Sequence, residues 1–81
     1  MKRKHRTTLD AINRADGNVD IRKVEALIVE LGGTITDRGN GLYSADLGEL
    51  DIIYDQPHPR KEIGRGFAKR LRDFFREAGV V

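Results

Sequence analysis

The chain has 81 residues, enough for one domain, residues 1–81, and no second. It has no cysteine and only two histidines, which excludes disulfides, a thiol nucleophile and a cysteine-based zinc site and leaves few groups for histidine chemistry. The net charge of +2 is small, but it is the sum of two basic ends and an acidic middle: residues 1–6 carry four bases, residues 7–56 four bases against ten acids, and residues 57–81 seven bases against three acids.

At this size folding buries only roughly 60% of the unfolded chain's surface, so the core is thin. No apolar run is long enough to span a bilayer, and no signal-peptide core follows the charged start. The expectation is a cytoplasmic protein with no membrane partner, no metal and no cofactor.

In chain order, residues 1–6 read as a flexible basic arm. Thr7 or Thr8 can cap a short helix ending at Arg14, with Leu9 and Ile12 as its apolar contacts. Ala15-Asp16-Gly17-Asn18 reads as a connector. Asp20 is the expected cap of a second helix, in which Ile21, Val24, Leu27, Ile28 and Leu31 fall on one face, and Gly32-Gly33 ends it. Three short strands follow. Thr34-Ile35-Thr36 is β-branched, and Arg38-Gly39-Asn40-Gly41 has turn chemistry. Leu42 to Leu47 alternates, with Tyr43, Ala45 and Leu47 on one face. Gly48-Glu49 turns the chain into Leu50 to Tyr54, where Ile52 and Tyr54 share a side. Pro57-His58-Pro59 breaks the sheet. The last helix is expected over 65–78, with Phe67, Leu71, Phe74, Phe75 and Ala78 inward. Arg65, Lys69, Arg72 and Arg76 form a stripe about 60° wide on the opposite side. The predicted fold class is α+β: an antiparallel meander with one face covered by the two main helices, packed side by side.

The order helix–β–β–β–helix resembles a double-stranded-RNA-binding-like fold with an extra short N-terminal helix. The segment from Arg22 to Gly33, RKVEALIVELGG, is similar to the first helix of the HicA toxin family. Gln56-Pro57-His58-Pro59-Arg60-Lys61-Glu62, followed by Gly64-Arg65-Gly66, resembles that family's loop into the last helix, and the ending from Leu71 to Val80 is also similar. So is the start, Lys4 to Ile12, which resembles a short HicA-like subgroup. Membership would imply a small bacterial toxin that cleaves mRNA as an endoribonuclease and is neutralised by a HicB-like antitoxin. The family's catalytic histidine sits on the second strand in a Gly-Ser-His motif. The corresponding stretch here is Arg38-Gly39-Asn40-Gly41-Leu42-Tyr43, so the position falls on Gly41 or Leu42, and neither can move a proton.

Metal-free RNA cleavage needs a base for the 2′-hydroxyl proton and an acid for the leaving oxygen. His58 is the one candidate, placed before a helix and a basic cluster; with no placed partner, a loop residue capping or packing between prolines is the favoured reading. His5 reads as part of the basic arm. Tyr43 and Tyr54 can stack a base, but their alternation with aliphatic residues favours packing. Asp46, Glu49, Asp51 and Asp55 match no metal-ligand spacing and read as acids of turns and of a solvated sheet face, where phosphate is repelled. The basic stripe is the stronger signal. Arg65, Lys69, Arg72 and Arg76, with Arg60 and Lys61 of the loop, are the expected RNA-binding residues. Two other readings stand beside it: a solvated face with pairs such as Lys69–Asp73, or a docking surface for an acidic antitoxin. The expectation is a HicA-like, RNA-binding toxin-module protein. The alternatives are a non-catalytic RNA-binding domain or a protein-interaction module.

Overall fold

The computed structural model describes residues 1–56 and 60–80. The elements in chain order are α1 (Arg3–Asn13), α2 (Ile21–Glu30), β1 (Thr34–Gly39), β2 (Leu42–Leu47), β3 (Leu50–Asp55) and α3 (Gly64–Glu77). The architecture is α+β: three helices and one three-stranded antiparallel sheet in the order β1-β2-β3.

The arm expected over residues 1–6 is corrected. Residues from Arg3 onward already belong to α1, and His5 is buried at 5% exposure rather than part of a basic surface patch. The misreading has a physical basis. Lys2 supplies no side-chain cap, the first turn holds no acid, and Arg3, Lys4 and Arg6 oppose the helix dipole. Burial overrides these local penalties. His5, Thr8, Leu9 and Ile12 recur at i, i+3, i+4 and i+7 and are all buried. The Thr8 hydroxyl donates to the Lys4 carbonyl (3.0 Å), closing the turn. At the other end Ala15 takes φ 56° and the Asp16 amide donates to the Ala11 carbonyl (3.0 Å), a closed left-handed helix end.

Asp20 caps α2 as expected: its carboxylate accepts from the Arg22 amide (2.8 Å). The buried face of α2 is Ile21, Val24, Leu27 and Ile28. Asn40 (φ 56°) and Gly41 (φ 79°) make the tight β1–β2 turn, a pair of positive φ angles that matches the strand twist. In the register, Tyr43 faces Tyr54 and Ala45 faces Ile52 on the helix side, while Ser44 faces Ile53 and Asp46 faces Asp51 on the open side. β1 runs to Gly39, longer than the expected three residues.

The helix layer differs from the expected side-by-side pair. α2 lies against β1 and β2, α3 against β3, and α1 packs on both helices. Among the described residues no Cα of α2 comes within 8 Å of α3. Ile12 of α1 is fully buried in the same core as Ile21, Leu27, Leu71 and Phe75. The short first helix is therefore a structural member, not an appendage.

One backbone seam positions the surface described next. The segment before α3 runs antiparallel to the α1–α2 connection. Ile21 N–H donates to the Lys61 carbonyl (2.8 Å), Ile63 N–H to Val19 (2.9 Å) and Gly64 N–H to Gly17 (2.9 Å).

Candidate nucleic-acid interface

α3 is oriented by its apolar face. Ala68, Leu71, Phe74 and Phe75 are buried, which turns Arg65, Lys69 and Arg76 outward, all exposed. Arg60 and Lys61 are exposed beside the start of the helix. Arg72 departs from the stripe. It is half-buried, with Nε 3.6 Å from an Asp73 carboxylate oxygen. The i,i+4 pair of Lys69 with Asp73 does not form. Among the described residues Arg65, Lys69, Arg76, Arg60 and Lys61 have no ion-pair partner, since the only Lys or Arg salt bridges join Arg22 to Asp20 and Arg72 to Asp73. His58 lies outside the described residues.

A second set of cations was not foreseen. A groove of about 1070 Å³ opens between α1 and α2. Five bases line it: Arg3, Lys4 and Arg14 from α1 and its end, and Arg22 and Lys23 from the start of α2. Its acids are Asp16 and Asp20, and both are engaged: Asp16 accepts from the Asn18 amide (2.9 Å), and Asp20 receives Arg22 through Nε (3.2 Å) and Nη2 (2.8 Å). Hydrogen bonding from the Arg22 side chain and amide holds the Asp20 carboxyl down to about 2, with Lys61 adding a smaller attraction. The sequence signal was present in retrospect. Arg3, Lys4 and Thr7 take a common wall only once 3–6 is read as helix.

The remaining polar candidates are tied into the packing. Tyr54 is 4% exposed, and its hydroxyl donates to Glu25 Oε2 (2.6 Å). Burial, then the Glu25 carboxylate, pushes the phenol well above its ordinary pKa, so it stays protonated with its hydrogen committed to Glu25. Its ring stacks between Tyr43 (5.9 Å) and Phe67 (5.1 Å). Arg70, a base that the stripe left out, sits 5.5 Å over Phe67 and donates to the Ile53 carbonyl (2.7 Å), covering part of the β3 edge. On the open sheet face Asp51 and Asp55 are exposed, with Leu42 and Ile53 beside them. Leu42, at the position compared with the family's histidine, pairs across from Asp55. Among the described residues no group of three or more His, Cys, Asp or Glu side chains is placed to hold a metal, and no helix is long and apolar enough to cross a membrane.

Comparison with known proteins found no family model, no curated protein and no solved structure that matches the chain.

Proposed function

We propose that the chain is a small RNA-binding protein of the HicA type, its α-β-β-β-α part arranged like a double-stranded-RNA-binding domain, acting in a toxin–antitoxin module beside a HicB-like antitoxin. The observation that carries the reading is the outward face of α3, where Arg65, Lys69 and Arg76 are exposed with no ion-pair partner among the described residues. Like charges spaced by one turn of helix repel by about 0.2–0.5 kcal/mol per pair. A polyanion relieves that repulsion at every position at once, and Arg60 and Lys61 extend the same field at the helix start. The opposite side of the molecule supports the same orientation. Asp46 and Asp51 face each other across the open sheet, with Asp55 two residue pairs further along the same face, and a phosphate backbone is repelled there. The reading concerns binding. Neither Gly41 nor Leu42 can move a proton, so a cleavage step would fall to His58.

The test is fluorescence anisotropy of labelled single-stranded and duplex RNA against salt, with chelator present. Replacing Arg65, Lys69 and Arg76 with Gln removes three phosphate contacts. The log K against log salt slope should become shallower by roughly 2 on single strands, at about 0.7 per contact, which is about fifty-fold in affinity at 0.15 M salt. Unchanged binding by this variant would refute the assignment of α3. Cleavage products that vanish in His58→Ala would add a catalytic step to the binding.

A further inference from the structure

The α1–α2 groove and the face of α3 are not separate features. A smaller cleft of about 430 Å³ joins them. It is lined by Arg14, Asp16 and Asn18, which also line the groove, and by Gly64 and Arg65 at the start of α3. The Gly64 N–H to Gly17 carbonyl bond (2.9 Å) holds the two sides of this junction together. Arg14 thus stands in both cavities, and Arg65 begins the α3 stripe where the cleft ends. We infer that the α1–α2 groove is the second half of one RNA-backbone track, continuing from α3 through Arg14 and taking phosphates by charge alone. The inference rests on the RNA-binding reading of α3 and adds to it a second contact region.

The groove's chemistry fixes what it would recognise. It has five bases against two acids: Arg22 neutralises Asp20, while Asp16 accepts the Asn18 amide and keeps its charge, which leaves the groove net positive. Arg3, Lys4, Arg14 and Lys23 are exposed and without an ion-pair partner among the described residues. No Phe, Tyr or Trp side chain lines the groove, and its one imidazole, His5, is buried at 5% exposure, so it offers no stacking platform for bases. The aromatic rings of Tyr43, Tyr54 and Phe67 are stacked on one another between sheet and α3. Contacts made only by cations position a backbone and carry no sequence information. The groove should therefore add affinity equally to every RNA sequence.

The test compares three proteins on labelled single-stranded RNAs of several sequences over a salt series: wild type, the α3 variant described above, and a groove variant with Arg3→Gln, Arg14→Gln and Lys23→Gln. The expected result for the groove variant is a salt slope shallower by roughly 2, the same for every sequence, and additive with the α3 variant in the combined protein. Lys23→Gln alone should give about a third of that change, and it serves if the triple variant melts early. A groove variant that keeps the wild-type slope while the α3 variant loses binding overturns the track and leaves α3 as the interface. A loss confined to some sequences overturns the backbone-only assignment. Wild-type protein that binds no RNA at low salt overturns both readings.

Discussion

Gly17 gives the sharpest test of how the molecule is joined. A Cβ built on Gly17 would lie 2.5 Å from the Arg65 nitrogen and 2.5 Å from the Gly64 carbonyl carbon, against ordinary contact at 3.4 Å or more. The obstacle is backbone on the far side, so no side-chain rotation relieves the overlap of nearly 1 Å. Forcing extra volume into a packed site costs about 1–3 kcal/mol. Retreat of the two segments also weakens the Gly64 N–H to Gly17 carbonyl bond, worth about 0.5–1.5 kcal/mol. The sum for Gly17→Ala is about 2–4 kcal/mol, a large share of the ~4–12 kcal/mol that a chain of this length commands. At ~4–8 °C per kcal/mol the melting temperature should fall by roughly 8–32 °C. Gly66→Ala is the built-in comparison. Nothing lies within 4 Å of its added Cβ, and the residue is within α3, so the same substitution should raise stability by up to about 1 kcal/mol. Thermal and urea unfolding followed by far-UV circular dichroism reads both. Gly17→Ala melting at or above wild type would refute the seam as described, because an unstrained Gly→Ala change stabilises by about 0.4–1 kcal/mol through the unfolded chain.

Ile12→Ala should cost about 2–5 kcal/mol in urea unfolding, since the side chain is fully buried; a cost within ~0.5 kcal/mol of wild type would contradict a structural role for α1. Tyr54→Phe removes the 2.6 Å bond to Glu25 and should destabilise by about 1–3 kcal/mol, with the double variant Tyr54→Phe/Glu25→Ala showing coupling; purely additive effects would contradict the bond. Asp20→Ala should lower the melting temperature at neutral pH by removing the α2 cap. Because the folded Asp20 carboxyl titrates at about 2 and its ordinary value is 3.8, its contribution is fully present above 3.8 and is lost as pH falls through about 2. The wild-type and Asp20→Ala melting temperatures should therefore converge below pH 2, and a gap that persists there would assign the effect to packing.

Most of the fold was legible because period and punctuation agreed. α2 announced itself through Asp20 and five apolar residues on one face, β2 through strict alternation, and α3 through Phe67, Leu71, Phe74 and Phe75. The α3 cations were legible for the same reason, as the complement of an apolar face. α1 was misread at its start because local signals contradicted the outcome. Capping and dipole both argued against a helix beginning at Arg3, and only the tertiary burial of His5 and Ile12 decides it. The groove followed α1 into obscurity, since its cations come from two helices whose approach no single segment reveals. Arg72 and Arg70 show the same limit at the level of one side chain. Helical spacing places a base on a face, and whether it then turns to Asp73 or to a strand carbonyl depends on neighbours remote from that spacing.

The Asp46–Asp51 pair across the open sheet has a further consequence. With acids on that side and most of the unpaired bases on the helix side, charge is unevenly spread over the folded chain despite its small net value. For the RNA partner proposed above, such a charge separation would turn the chain before it arrives, helices first. The two acids, which gain nothing from standing opposite one another, thus act as a rudder: making them neutral should firm the sheet and slow productive landing, an exchange visible as a smaller association rate at low salt in a protein that melts later.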